Sequence, residues 1–162
     1  MKFFIAGIMQ GSKTDVSLHG QNYRDALKES LQKAFPDSVV YDPFELNKDS
    51  LYYAPETGRR VFLTHNQMCG SEIDVLVAFV PEASMGTAIE IWEAWKNGAL
   101  VLTISPMATN WSVKFLSDAV YPDLDSFQAA LDSGEIARFI AEANPRSVKR
   151  SLDHFDKLIN VK

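Results

Sequence analysis

Two apolar runs constrain this chain more than any other feature: Ile73-Asp74-Val75-Leu76-Val77-Ala78-Phe79-Val80 and Leu100 to Ile104. A strand with almost no polar alternation must be covered on both faces, which is the condition of a parallel sheet sandwiched by helices. The segment between them, Gly86 to Asn97, has helical periodicity, and Gly98 stands where a helix commonly stops. A strand, a helix and a second parallel strand follow. The same reading places strands at Lys2–Ala6, ended by Gly7, at Ser38–Asp42 and at Ala119–Tyr121.

Helices alternate with these strands. From Asn22 to Phe35, the residues Tyr23, Ala26, Leu27, Leu31, Ala34 and Phe35 recur at helical spacing before Pro36. Pro55 suits the first turn of a helix to about Gly70, with a weaker stripe of Val61, Phe62, His65, Met68 and Cys69. Further helices are expected at Asn110–Leu116, Asp125–Leu131 and Pro145–Ile159. Right-handed crossovers then imply an α/β fold, a doubly wound (flavodoxin-like) five-stranded parallel sheet with helices on both faces. At 162 residues the chain is expected to form one domain over residues 1–162. Ligands of such sheets bind at the strand C-termini where strand order reverses, here between the first and third strands. That directs attention to Gly7–Ser12 and Pro81–Glu90. Asp42-Pro43-Phe44 reads as a strand-ending turn, and the long polar stretch from there to Tyr53 is expected to contribute to the same pocket.

Composition removes several classes of function. Sixteen Lys and Arg against 21 Asp and Glu, a formal net charge of −5, disfavour a polymeric nucleic-acid binder but leave a mononucleotide ligand open. No apolar run approaches the roughly 18 residues of a membrane span, and Met1–Gly7 is too short for a signal-peptide core, so no membrane partner and a cytoplasmic location are expected. The single cysteine, Cys69, reads as a buried inert thiol. His19, His65 and His154 lack metal-ligand spacing, so neither a metal nor a cofactor is expected. No Gly-x-Ser-x-Gly elbow surrounds a serine.

Three constellations remain. Gly7-Ile8-Met9-Gln10-Gly11-Ser12 could bring backbone N–H groups to a phosphate or a sugar, or serve only as a flexible connection; it is neither a Walker A loop nor the three-glycine dinucleotide fingerprint. Ser84-Met85-Gly86-Thr87-Ala88-Ile89-Glu90 joins the third strand to a helix. Ser84 suits the N-cap, and the free N–H groups of that turn suit an anion. Glu90, about a turn into the helix among apolar neighbours, reads either as a solvent-facing glutamate or as a carboxylate whose pKa is tuned between an apolar surround and the helix N-terminus. Glu93 reads as solvated.

Taken together, Phe3-Phe4-Ile5-Ala6-Gly7, Asp74-Val75-Leu76-Val77-Ala78 and Ser84 to Glu90 followed by Gly98 make residues 2–130 resemble the nucleoside 2-deoxyribosyltransferase-like family, which includes the 2′-deoxynucleoside 5′-phosphate N-hydrolases. The resemblance implies that Glu90 is the catalytic carboxylate meeting C1′ of the sugar, and that Gly7, Met9 and Gln10 line the sugar and base pocket. Ser84, with Gly86 beside it, stands where the transferases carry an aspartate and the nucleotide hydrolases a serine; a hydroxyl accommodates a 5′-phosphate that an aspartate would repel. Asn66 falls where relatives have an aspartate that handles the leaving base, Gln10 near an arginine that holds phosphate, and Phe4 in place of a tyrosine. Lys13 or a neighbouring subunit is expected to compensate for Gln10. The family's dimers place the segment after the fourth strand, here Ser105–Leu116, in the partner's site, which makes Asn110-Trp111 a candidate substrate contact; the alternative is Asn110 as an N-cap and Trp111 as packing.

The expected function is hydrolysis of the base–sugar bond of a (deoxy)nucleoside 5′-monophosphate by a homodimer with a shared active site. The alternatives are a nucleoside 2-deoxyribosyltransferase and a non-catalytic nucleotide sensor. Cleavage of the nicotinamide bond of NAD is a further possibility that no residue here selects.

Overall fold

In the computed structural model, which describes residues 1–143, the strands are β1 (Lys2–Gly7), β2 (Val39–Tyr41), β3 (Val75–Phe79), β4 (Leu100–Ile104) and β5 (Ala119–Tyr121). They form one parallel sheet in the order β2-β1-β3-β4-β5. The helices are α1 (Tyr23–Ala34), α2 (Pro55–Ser71), α3 (Met85–Lys96), α4 (Trp111–Leu116), α5 (Leu124–Asp132) and α6 (Glu135–Ala143). The doubly wound sheet is therefore as expected, with most boundaries displaced by only one or two residues.

Alternation along β1 explains the two layers. Phe3 and Ile5 point to one face, where they join Val75, Val77 and Leu102 beneath α1, α5 and α6. Phe4 and Ala6 point to the other, with Leu76, Ala78 and Val101 beneath α2 and α3. The near-continuous apolar runs arise because both faces are covered.

Two departures from the sequence reading are informative. Helix α6 occupies a segment to which the sequence reading assigned no element: Gly134, at φ 72°, ends α5, and Ile136, Phe139, Ile140 and Ala143 recur at helical spacing. Ile136 and Ile140 are buried against the sheet. In α1, Ala26 and Ala34 are exposed, and Arg24 takes a place on the buried stripe with Leu27 and Leu31. The helix expected at Pro145–Ile159, with His154, lies outside the described residues. Among the described residues no helix is long and apolar enough to cross a membrane.

Pairing of β1 with both β2 and β3 puts the reversal of strand order at the C-terminal ends of β1 and β3, where Gly7 lies opposite Phe79. The long stretch after β2 crosses this end, with one 3₁₀ turn at Ser50–Tyr52.

Candidate active site

The crevice at the reversal is a cavity of about 340 Å³, within the range of small-molecule sites. Gly7, Met9, Gln10 and Gly11 form its β1 side, and Ser84, Met85, Gly86, Thr87 and Glu90 its α3 side. Pro43, Asn47, Ser50 and Tyr53 supply a third wall from the long loop, and Val61, Phe62 and His65 of α2 a fourth.

Gly7 is required by close approach. A Cβ there would collide with the Tyr23 hydroxyl and crowd the Phe79 carbonyl oxygen. Gly11 is required by its backbone, at φ 57°, where side chains are disfavoured, and a Cβ would also press on Ile8 and His19. The loop between them is held by His19, whose backbone N–H donates to the Met9 carbonyl at 2.7 Å and whose Nε2 lies 2.9 Å from Glu82 Oε1. Lys13, expected to compensate for Gln10, does not line the cavity; its ammonium donates to the Leu18 carbonyl at 2.8 Å.

Arg24 organises the floor. Its guanidinium is buried and donates from Nε to Gln21 Oε1 (2.7 Å), from Nη1 to the Ile5 carbonyl (3.0 Å) and Asp42 Oδ1 (2.8 Å), and from Nη2 to the Gly7 carbonyl (3.1 Å). Four of the five guanidinium N–H groups are thereby engaged. Asp42 also accepts from the Phe44 backbone N–H at 3.0 Å, which shapes the turn after β2. Arg24 was not among the expected site residues; its signal is a charge on the apolar stripe of α1.

Glu90 behaves oppositely. Among the described residues its carboxylate makes no hydrogen bond or ion pair, and it lines the cavity. Burial raises its pKa to about 7, with the Arg24 charge pulling the other way. The opposing charge comes from another element, α1. Burial also pushes the Tyr23 phenol up to about 12, with lesser contributions from Asp42 and Glu90. It keeps its proton, its hydroxyl lying 3.3 Å from the Ile8 carbonyl. Glu93 forms an ion pair with Lys96 at 2.8 Å. Burial pushes the Cys69 thiol up as well, in keeping with an inert buried cysteine.

Ser84 occupies the N-cap of α3, but its side chain caps no backbone N–H: its hydroxyl pairs with that of Thr87 at 2.9 Å. The first-turn N–H groups of α3 are left for another acceptor. Asn66 is not among the lining residues; its Nδ2 donates to the Phe62 carbonyl at 2.8 Å and its buried Oδ1 has no partner. His65, one position earlier, lines the cavity instead. Asn110 is likewise outside this cavity. It caps α4, accepting from the N–H groups of Ser112 (3.0 Å) and Val113 (3.5 Å), and borders a smaller cavity of about 160 Å³ with Ser84 and Met85. Trp111 is 79% exposed, and its ring meets that of Phe115 edge-on with centroids 5.7 Å apart. Phe4 lies in the core, stacked on Tyr41 with ring centroids 5.4 Å apart. No group of three or more metal-ligating side chains occurs among the described residues.

No protein-family model matches the sequence, and no curated protein does so. Solved structures do. A 2-deoxyribosyltransferase from the psychrotolerant bacterium Bacillus psychrosaccharolyticus superposes with a TM-score of 0.56 at 16% identity, covering 81% of this chain and 96% of that one. The CMP N-glycosidase BcmB of Clostridium botulinum superposes at 0.47 and 18% identity, covering 82% and 99%. With its five parallel strands in the order β2-β1-β3-β4-β5, this chain has the fold of the 2-deoxyribosyltransferase.

Proposed function

We propose that the protein is a member of the nucleoside 2-deoxyribosyltransferase-like family and an N-glycosidase that hydrolyses the base–sugar bond of a (deoxy)nucleoside 5′-monophosphate. The observation that carries this reading is Glu90: a carboxylate with no protein partner among the described residues, facing a nucleoside-sized cavity at the strand reversal. As the C1′–N bond breaks, its electron pair leaves with the base and positive charge grows on the sugar. An ionised carboxylate at C1′ stabilises that charge and captures it as a glycosyl ester. Water then attacks C1′ as the ester bond to Glu90 breaks and its electron pair returns to the carboxylate; the water's hydroxyl remains on the sugar and its other proton balances the departed base. No metal or cofactor is needed for these steps.

The unengaged first turn of α3 and the Ser84 hydroxyl support a 5′-phosphate, since helix N-termini attract anions and no acidic side chain occupies that turn. With a formal charge of −5, the attraction must be local to this turn. Phe62 and Leu63 of α2, Ile89 and Trp92 of α3, and Trp111 and Phe115 of α4 are exposed apolar residues on helices that pack in succession, and Phe62 also lines the cavity, which supports a homodimer completing the site.

The test is chromatographic. Purified protein is incubated with nucleosides and with their 5′-monophosphates, and free base is measured. Base release from monophosphates is expected from wild type and not from Glu90→Gln; undiminished release by that variant removes the central claim. Adding a second free base distinguishes transfer, which would yield a new nucleoside. Because the nucleophile must be ionised, the rate is expected to rise with pH through about 7.

A further inference from the structure

We propose that His65 is the residue that hydrogen-bonds the leaving base, taking the place that the resemblance would give to Asn66. The inference rests on the N-glycosidase reading and names a second working residue of the same cavity. His65 stands on α2 and Glu90 on α3, and both line the cavity. A sugar held against Glu90 therefore has the α2 wall available for its base.

The imidazole is fixed in orientation. Its ring packs edge-on to Phe4, with centroids 6.1 Å apart, and to Tyr41, 5.9 Å apart, while Nε2 lies 3.3 Å from the Tyr41 hydroxyl. Burial, and secondarily the Arg24 charge, lower the His65 pKa, so the ring is neutral at pH 7. Burial and then Asp42 raise that of Tyr41, which keeps its proton. When Tyr41 donates to Nε2, the ring hydrogen resides on Nδ1. Nδ1 bonds to no protein group among the described residues.

A neutral N–H donor suits the chemistry at this place. The departing base gathers negative charge on its ring nitrogen and conjugated oxygen or nitrogen atoms, and a preorganised donor stabilises that charge as it develops. His65 transfers no proton in this scheme; it lends a hydrogen bond. Asn66 does not line the cavity, and one of its two amide N–H groups donates to the Phe62 carbonyl within α2.

The experiment compares wild type, His65→Ala, His65→Gln, Tyr41→Phe and Glu90→Gln, each checked for native circular dichroism. Base release is measured as above. Calorimetric binding is measured separately with adenine, guanine, cytosine, uracil and thymine, and with deoxyribose 5-phosphate. His65→Ala is expected to lower kcat by about 10²–10³-fold, the usual loss for one such donor. It should also weaken binding of the free base while leaving that of deoxyribose 5-phosphate unchanged. Tyr41→Phe should move both readings in the same direction by less, and His65→Gln should restore part of the base affinity. Wild-type kcat and base affinity in His65→Ala, or equal weakening of base and sugar phosphate, overturns the proposal. So does failure of all five bases to bind wild type. Base release that survives Glu90→Gln overturns the parent reading instead, and the base-binding data still decide the role of His65.

Discussion

The two sides of the cavity carry opposite treatments of charge. On the β1–α1–β2 side, Arg24 is buried but engaged by Gln21, Asp42 and two strand carbonyls. On the β3–α3 side, Glu90 and the first turn of α3 face the same space with no protein partner for the carboxylate among the described residues and no side-chain cap for the turn. A buried ion that meets all its partners belongs to the scaffold, since any change in it costs stability. A carboxylate held in reserve costs stability by being there, and such a cost is commonly found where function requires it. One side is built to hold its shape and the other to meet a ligand.

The contrast breaks first at Arg24. Arg24→Met should destabilise the protein by about 3–5 kcal/mol, because Asp42 is left as an uncompensated buried charge and two carbonyls lose their donor. Urea unfolding monitored by circular dichroism measures it, and Asp42→Asn in the same background should recover part of the loss. A loss below about 1 kcal/mol, the scale of an exposed pair, would show that the floor is not held by this network.

Glu90→Gln should act in the opposite direction. With its folded pKa raised to about 7 from an ordinary 4.5, Glu90 favours the folded state only while protonated. Its relative contribution is fully present below about pH 4.5 and is lost as pH rises through about 7. At pH 8 the amide variant should therefore be more stable than wild type by up to about 3 kcal/mol, with the difference shrinking toward pH 5. Melting curves across that range decide the point; a variant that is less stable at pH 8 would mean that the carboxylate is satisfied after all.

The smallest effect sharpens the α3 side. Replacing a working N-cap typically costs about 1 kcal/mol, but Ser84 bonds only the Thr87 hydroxyl, so Ser84→Ala should cost about 0.5 kcal/mol or less. The same variant should weaken protection of the protein by inorganic phosphate in a thermal-shift titration. A full capping loss without any phosphate effect would return Ser84 to a purely structural role.

Much of this arrangement was legible in the residues. Ile73–Val80 and Leu100–Ile104 announce strands covered on both faces, and Gly98, at φ 86°, ends α3 as its position suggests. Gly7, Met9, Gln10, Ser84, Gly86 and Glu90 meet in one cavity because they follow β1 and β3, neighbours at the reversal of strand order. Asn66 and Asn110 do not join them. Asn66 is turned away into a bond within its own helix, and Asn110 is used as a cap. Helix α6 carried a readable stripe in Ile136, Phe139, Ile140 and Ala143, so its omission reflects an unread signal rather than a missing one.

The sequence by itself determined the period of each element, and therefore the sheet, its two covered faces and the loops that end at its reversal. Local spacing suffices there, because burial of apolar side chains follows directly from periodicities of two and 3.6 residues. Only the tertiary structure decided how charge is distributed in the cavity. Arg24 reaches Asp42 18 positions away, and His65 meets Tyr41 across 24. Such pairings depend on which strands lie side by side, and the pKa of Glu90 depends on what that packing excludes and which guanidinium it brings near.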